Sequence, residues 1–190
     1  MTYEHPNIFD ALTDSLVGHT LYPRLFREHL QMLRLAPDEH VLEIGCGGGN
    51  MTRLICKTLG PNGTVTSIDV NEYWLSRARR RVVDDRVTFI LGDAATVALP
   101  PVPYSLALFH YMLHDVPHNE RSPLVRRVAG LLGNGARAFV CEPTKESHGM
   151  PPGEVDALFA QAGMMRLDQA TGSSFVMGTF YRALYGNTYP

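Results

Sequence analysis

The sequence has few cysteines, no excess of basic residues and no long apolar run, and each shortage excludes a class of protein. Its three cysteines, Cys46, Cys56 and Cys141, are odd in number and lack zinc-site spacing, which excludes a disulfide-dense scaffold. The net charge is −2, from 17 Lys and Arg against 19 Asp and Glu, whereas proteins that bind a nucleic-acid backbone usually carry a basic excess. No apolar run approaches the ~20 residues that cross a bilayer, and no signal peptide is visible at the N-terminus. We therefore expect a cytoplasmic protein that binds neither nucleic acid nor membrane.

One local cluster of arginines departs from this acidic balance. It comprises Arg77, Arg79, Arg80, Arg81 and Arg86. Their helical spacing predicts a solvated face of a helix rather than a surface that binds a partner.

The length of 190 residues, with 45% hydrophobic residues, suits one globular domain. From about residue 40 onward, apolar runs typical of strands alternate with helical periodicity, which predicts βαβ units and a mostly parallel sheet. The predicted strands cover residues 41–44, 64–68, 87–91, 105–109, 136–141, 165–168 and 175–181, and the predicted helices cover residues 50–59, 72–83, 119–132 and 154–162. Only a short link separates the last two strands, so we expect them to be antiparallel. Residues 1–37 form a predicted N-terminal helical cap, with helices over 9–17 and 22–35, and residues 38–190 form the core.

The most informative segment is the glycine-rich run from Glu43 to Gly49, Glu-Ile-Gly-Cys-Gly-Gly-Gly, which follows a strand and opens a helix. Glycines allow a sharp turn there and let a ligand lie against backbone N–H groups. The dinucleotide pattern G-x-G-x-x-G fails because Asn50 replaces its last glycine, and no Gly-Lys-Ser/Thr of a Walker loop is present. The carboxylate of Glu43 would repel a pyrophosphate and suits a ligand that bears a cationic amine.

Two aspartates follow at the ends of the next two strands. Asp69 ends the second strand, where a carboxylate can accept hydrogen bonds from both ribose hydroxyls. Asp93, followed by Ala94, ends the third strand. Each aspartate alone would be an ordinary turn former, but the three placements together indicate a nucleoside site.

With these motifs the chain resembles the class I S-adenosylmethionine-dependent methyltransferases that act on small molecules, over about residues 38–182. The resemblance implies a Rossmann-like α/β fold with seven strands in the order 3-2-1-4-5-7-6, strand 7 being antiparallel, and S-adenosylmethionine as cofactor. It implies that Gly45, Gly47 and Gly49 form the cofactor loop and that Glu43 orients the amino group of the cofactor. It also implies that Asp69 holds the ribose, Val70 packs on the adenine, and Asp93 with Ala94 binds the adenine edge. Ser105 and Asn134 depart from the usual pattern of the family, at positions away from the cofactor.

The methyl acceptor is expected at the carboxyl ends of the fourth and fifth strands, where ligands of open α/β sheets bind. We predict that His110 faces the transferred methyl group or the acceptor, and that Tyr111 contacts the acceptor. His110, His114 or Glu142 could act as a base if the acceptor must lose a proton. Alternatively, His110 simply bonds to the backbone at the sheet edge. His19 and Tyr22 of the N-terminal cap could close over the acceptor.

No metal is expected, because Pro117 breaks the helix that would bring His110, His114, Asp115 and His118 together. The predicted function is methyl transfer to a small molecule by in-line displacement, in a monomer or homodimer. A non-catalytic sensor of S-adenosylmethionine, or a partner subunit of a methyltransferase complex, shares the same loop and stays open as an alternative.

Overall fold

The computed structural model describes residues 23–145, 149–174 and 178–187. Its strands are β1 (His40–Ile44), β2 (Thr64–Asp69), β3 (Val87–Leu91), β4 (Tyr104–His110), β5 (Leu132–Pro143), β6 (Met164–Ser174) and β7 (Gly178–Asn187). They form one sheet of seven strands in the order β3-β2-β1-β4-β5-β7-β6. The first five strands are parallel, and β7 is antiparallel to both β5 and β6. The predicted fold class, strand order and reversed last strand are confirmed.

Five helices and a short 3-10 helix at Leu113–Asp115 accompany the described strands. The helices are α1 (Pro23–Leu33), α2 (Asn50–Thr58), α3 (Glu72–Arg81), α4 (His118–Ala129) and α5 (Pro152–Gln161). The predicted helix over 22–35 corresponds to α1, whereas the one over 9–17 lies outside the described residues. Within the described residues, none of the helices has the length and apolar character that a membrane span requires.

Alternate residues of the central strands pack into two separate apolar layers, because side chains of a strand point to opposite faces. On one face, Val41 and Leu108 pack with Leu33 of α1 and Ile55 of α2. On the other face, Phe109 and its neighbours pack against α4 and α5. This alternation separates His110 from Glu142, two predicted catalytic residues. His110 follows Phe109 and therefore lies on the face that α1 covers, whereas Glu142 lies on the opposite face.

The fifth strand begins earlier than predicted. Helix α4 ends at Ala129, and β5 starts at Leu132, which pairs with Tyr104. The strand passes through Gly133–Gly135, a glycine-rich segment typical of turns, with an irregular register and with Gly135 at φ 71°. Glycine at a positive φ is compatible with such a bulge, so it did not mark the strand boundary here.

The predicted arginine face is wrong for two of its members. Arg86 donates to the carbonyls of Cys56, Leu59 and Gly60 at 2.8–2.9 Å, and so binds the C-terminal end of α2. Arg81 donates to the carbonyl of Gly48 in the glycine loop. These two side chains are structural, because a guanidinium offers several donors that satisfy free backbone carbonyls.

Candidate functional site

A cavity of about 280 Å³ lies at the carboxyl ends of β1, β2, β3 and β4. Seven residues that the sequence singled out line it, namely Gly45, Gly47, Asp69, Val70, Asp93, Ala94 and Tyr111. The predicted residues Glu43, Gly49, His110, His114 and Glu142 do not line it. His19 and Tyr22 lie outside the described residues.

The glycine loop forms one wall of this cavity, and its three alternate glycines serve different purposes. Gly45, Gly47 and Gly49 have φ angles of 70°, 51° and 77°, a region that favours glycine. A Cβ atom on Gly45 would lie 2.8 Å from Cβ of Met112, and one on Gly49 would lie 3.0 Å from Ala78 of α3. A Cβ atom on Gly47 would meet nothing within 4 Å. Gly47 therefore presents open backbone to the cavity, whereas Gly49 permits close packing of the loop on α3.

Asp69 joins the glycine loop to the end of β2. Its Oδ2 accepts a hydrogen bond from the Gly47 N–H at 2.7 Å, and its Oδ1 accepts one from the Asn71 N–H at 2.9 Å. Burial raises the pKa of Asp69 above its usual value, although these two bonds oppose the shift. Each carboxylate oxygen can accept more than one bond, so Asp69 can brace the loop and still bind hydroxyl groups in the cavity.

Glu43 lies in β1, before the loop, and is buried. Its Oε2 accepts hydrogen bonds from the hydroxyls of Thr52 at 2.6 Å and Ser67 at 2.7 Å. Burial raises the pKa of Glu43 to about 7, against the effect of these two bonds. The carboxyl group thus connects β1 to α2 and β2, and this contact supports the loop from outside the cavity.

The loop after β3 carries Asp93 and is held by a residue that the sequence did not indicate. Asp93 Oδ1 accepts a hydrogen bond from the Ala95 N–H at 2.8 Å. From α4, Arg127 donates to the carbonyls of Ala95 and Val97. No motif announced Arg127, because its partners are backbone atoms of a distant loop.

The cavity is acidic. Besides Asp69 and Asp93 it is lined by Asp115 and Glu120, and no described Lys, Arg or His residue belongs to its lining. Val70, whose exposed fraction is 65%, adds an apolar surface. A concentration of carboxylates in the lining favours a cationic ligand and disfavours a polyphosphate. Sequence reasoning missed Glu120, and it considered Asp115 only as part of a metal cluster.

Glu142 and His114 form a structural network instead of lining the cavity. Glu142 is fully buried and accepts hydrogen bonds from the N–H groups of Met112 at 3.1 Å and Leu113 at 2.8 Å. Its Oε2 accepts from the N–H of His114 at 3.3 Å and lies 2.6 Å from Nδ1 of the same residue. Burial alone would lower the pKa of His114, but the bond to Glu142 and its charge raise it. Glu142 therefore holds the turn after β4.

His110 lies on the other face of the sheet, in a partly buried pair with His29 of α1. His29 Nδ1 lies 3.0 Å from His110 Nε2, and His29 Nε2 lies 3.9 Å from the Cys141 sulfur. Burial lowers the pKa of His110 to about 3. It also lowers the pKa of His29 to about 2, helped by His110 and Arg182. Sequence reasoning missed His29 because it is an isolated histidine on an amphipathic helix.

Tyr111 separates this histidine pair from the cavity. It has a φ of 55°, which is strained for an aromatic residue, and its N–H donates to the Cys141 carbonyl at 2.8 Å. The Tyr111 ring contacts the His110 ring with 4.9 Å between centroids, and Tyr111 also lines the cavity. The site thus consists of an acidic cavity and a histidine-containing cluster on either side of one residue.

Comparison with known families assigns this chain to a class. Residues 41–135 match the family described as methyltransferase domain, which is half of the chain. The chain belongs to this family, and the predicted resemblance to class I S-adenosylmethionine-dependent methyltransferases is confirmed.

The sequence identity to individual curated relatives is low. The chain is 29% identical over 143 residues to the ubiquinone/menaquinone biosynthesis C-methyltransferase UbiE of Ectopseudomonas mendocina, covering 72% of this chain and 54% of the relative. It is 37% identical over 97 residues to the malonyl-[acyl-carrier protein] O-methyltransferase of Priestia megaterium, covering 50% of this chain and 33% of the relative. The chain spans about half the length, or less, of these curated relatives. The names of these two relatives differ in the atom that receives the methyl group.

Among solved structures, the fold is similar to magnesium protoporphyrin IX methyltransferase of Synechocystis PCC 6803 with bound S-adenosylmethionine. The TM-score is 0.74 at 16% identity, covering 98% of this chain and 88% of that chain. At this identity the similarity concerns the fold.

Proposed function

We propose that this protein transfers a methyl group from S-adenosylmethionine to a small-molecule acceptor. The observation that carries the proposal is the acidic cavity beside the open backbone of Gly47, between the carboxylates of Asp69 and Asp93. S-adenosylmethionine carries a sulfonium and an ammonium group, and both positive charges are favoured among carboxylates. A pyrophosphate ligand would meet the same carboxylates at a cost.

The cavity residues suggest a division of roles toward this cofactor. We assign the ribose hydroxyls to Asp69, the adenine face to the exposed side chain of Val70, and the adenine edge to Asp93 with the Ala94 backbone. The methionine part would lie along Gly45 and Gly47. Among the other predicted cofactor residues, Glu43 and Gly49 would act by shaping the loop, since neither lines the cavity.

Methyl transfer requires few functional groups from the protein. A lone pair of the acceptor forms a bond to the methyl carbon, the carbon–sulfur bond breaks, and its electron pair returns to sulfur as a neutral thioether. The protein contributes orientation and a site from which water is excluded. An acceptor that loses a proton would require a base. Glu142 and His114 are bonded within the turn after β4, so His110 is the remaining candidate, but its pairing with His29 and its lowered pKa make it a weak base.

Binding of the cofactor product tests the first half of the proposal. We expect saturable binding of S-adenosylhomocysteine to the full chain in isothermal titration calorimetry. Absence of saturation at millimolar ligand would overturn the proposal.

Turnover tests the second half. With methyl-labelled S-adenosylmethionine and a panel of small acids, phenols, amines and thiols, we expect label in at least one acceptor. Binding of S-adenosylhomocysteine without labelled product from any acceptor would instead support the alternative, a non-catalytic sensor or partner subunit. That alternative has support in the structure, because two of the three predicted catalytic residues have a structural explanation.

A further inference from the structure

A second polar cluster adjoins the acidic cavity on the face of the sheet that α1 covers. The register places His110 of β4 opposite Cys141 of β5, and Cys141 opposite Arg182 of β7. Partners in register point to the same face, so the three side chains form a row across adjacent strands. His29 of α1 covers the row, and Tyr111 connects it to the cavity. We call these five residues the His–Arg cluster.

The His–Arg cluster contains a buried positive charge that is incompletely neutralised. The side chain of Arg182 is 15% exposed, and its Nε and Nη1 atoms are buried without a hydrogen-bond partner among the described residues. The acid paired with it is Glu28, whose Oε2 lies 3.5 Å from Nη2 and whose side chain is 40% exposed. A buried guanidinium with unbonded N–H groups is unfavourable unless an acceptor completes it.

The other members of the cluster supply no negative charge. Burial raises the pKa of the Cys141 thiol and of the Tyr111 hydroxyl well above their usual values, so both stay protonated. Burial keeps His29 and His110 neutral near pH 7. The Tyr111 hydroxyl is buried beside the thiol and has no hydrogen bond of normal geometry among the described residues. It is a second donor available to a ligand.

A metal ion is the competing occupant, because His29, His110 and Cys141 each offer a ligand atom within 4.8 Å of the others. Two observations disfavour it. His29 directs opposite ring nitrogens at its two neighbours, Nδ1 at His110 and Nε2 at Cys141, which suits a chain of hydrogen bonds better than one shared ion. The positive charge of Arg182 also opposes a cation.

We propose that the His–Arg cluster binds the oxyanion of an acidic methyl acceptor, a carboxylate or phenolate, through Arg182 and the Tyr111 hydroxyl. The inference rests on the proposed function and names the acceptor class for it. The arrangement places an anionic acceptor beside the basic cluster and the cationic cofactor in the acidic cavity, with Tyr111 in contact with both sites. Opposite charges on the two reactants favour their approach.

Binding of small probes to the full chain saturated with S-adenosylhomocysteine tests this inference. The probes are benzoate and its neutral isostere benzamide, followed by calorimetry or by the shift of the thermal midpoint. We expect benzoate to bind about tenfold or more tightly than benzamide, the scale of hydrogen bonds to a charged group. Equal affinities would overturn the inference without affecting S-adenosylhomocysteine binding. Failure of S-adenosylhomocysteine itself to bind would overturn the proposed function instead.

Matched variants locate the anion. Arg182→Met removes the charge and keeps the aliphatic stem, whereas Arg182→Lys keeps the charge. Tyr111→Phe removes only the hydroxyl. The control Arg166→Met changes an arginine on β6 that pairs with Asp156 at the surface. We expect benzoate affinity to fall about tenfold or more in Arg182→Met, less in Arg182→Lys and Tyr111→Phe, and not at all in the control.

Two outcomes would contradict this assignment. One is benzoate affinity that Arg182→Met and Tyr111→Phe leave unchanged. The other is stoichiometric Zn²⁺ binding that His29→Gln and Cys141→Ser abolish, which would make the cluster a metal site. If Arg182→Met does not fold, Tyr111→Phe and the preference of the unaltered protein for benzoate over benzamide still decide the question.

Discussion

The two sides of Tyr111 differ in charge and in how the chain builds them. The cavity on one side is lined by four carboxylates, Asp69, Asp93, Asp115 and Glu120, and all its lining residues fall between positions 44 and 124 of the sequence. The His–Arg cluster on the other side gathers two neutral histidines, a thiol and a guanidinium, from α1, β4, β5 and β7. The cavity is built mainly from the ends of successive strands in one stretch of the sequence, whereas the His–Arg cluster requires four distant segments of the chain. A local motif can specify the first, but only the sheet register specifies the second.

The largest expected effect concerns the turn that carries Tyr111 and Asp115. Glu142→Ala would leave the buried N–H groups of Met112 and Leu113 without their acceptor. We expect a loss of about 3 kcal/mol or more in the free energy of unfolding, the scale for breaking a buried charged contact. Urea denaturation measures it, with the exposed Asp85→Asn as control, expected within about 0.5 kcal/mol of the parent. Equal effects of the two changes would show that Glu142 does not hold the turn.

The next effect concerns the acidic side alone. Asp69→Ala removes a carboxylate that lies in the cavity and braces Gly47. We expect S-adenosylhomocysteine binding to weaken by about 1.5–3 kcal/mol, the scale of hydrogen bonds to a charged group. Calorimetry with the same Asp85→Asn control checks it. An affinity equal to that of the parent would remove Asp69 from the proposed ribose site.

A pH titration addresses the histidine side. Burial lowers the pKa values of His29 and His110 to about 2 and about 3, from the usual value of 6.5 for a histidine. Their neutral forms therefore stabilise the fold above about pH 6.5, and this stability is lost as pH falls toward the folded values, because the unfolded chain takes up the protons. At pH 5 the loss is about 2 kcal/mol for each histidine, from 1.36 kcal/mol per pH unit.

The parent and His29→Gln should therefore differ in the pH dependence of their unfolding free energy between pH 7.5 and 5. We expect a shallower decline in the variant. Glu43 and His114, whose pKa values are raised, contribute in the opposite direction in both proteins, so the difference between the proteins isolates His29. Parallel pH profiles would contradict the buried neutral histidine.

The smallest effect separates two glycines of the same loop. Gly49→Ala brings a Cβ within 3.0 Å of Ala78, whereas Gly47→Ala meets nothing within 4 Å. Both pay about 1 kcal/mol or more for a positive φ, and we expect Gly49→Ala to lose about 1 kcal/mol beyond that through overpacking. Gly47→Ala should instead weaken S-adenosylhomocysteine binding more than it lowers stability. Denaturation and calorimetry on both variants measure these two losses. If Gly49→Ala weakened binding more than Gly47→Ala did, the cofactor would have to bind elsewhere.

The sequence allowed prediction of the strands and of seven cavity-lining residues because both depend on local signals, whereas the order of the strands in the sheet followed from the resemblance to the methyltransferase family. Strand ends at Asp69 and Asp93, and glycines at positive φ, can be recognised within a few residues of chain. Glu142 was predicted as a catalytic candidate, yet its surroundings are a turn after β4 that only the β4–β5 pairing brings near.

His29 and Arg182 were beyond sequence reasoning for the same reason. His29 is one polar residue in an amphipathic helix, and Arg182 follows the predicted strand over 175–181 and lies inside the observed ten-residue β7. Their meaning depends on pairing across the sheet and on the docking of α1, and no spacing in a single sequence encodes either.

The reversed direction of β7 has a consequence for which part of the chain can alter the proposed acceptor site. Because β7 runs against its neighbours, its opening residues, not its closing ones, reach the carboxyl edge at Arg182. The last residue of the sequence that lines the acidic cavity is Leu124, so the hairpin of β6 and β7 contributes none of the lining. The hairpin can therefore be substituted or exchanged without changing a lining residue. Under the proposed function, a hairpin grafted from a related chain would change the acceptor preference at constant cofactor affinity.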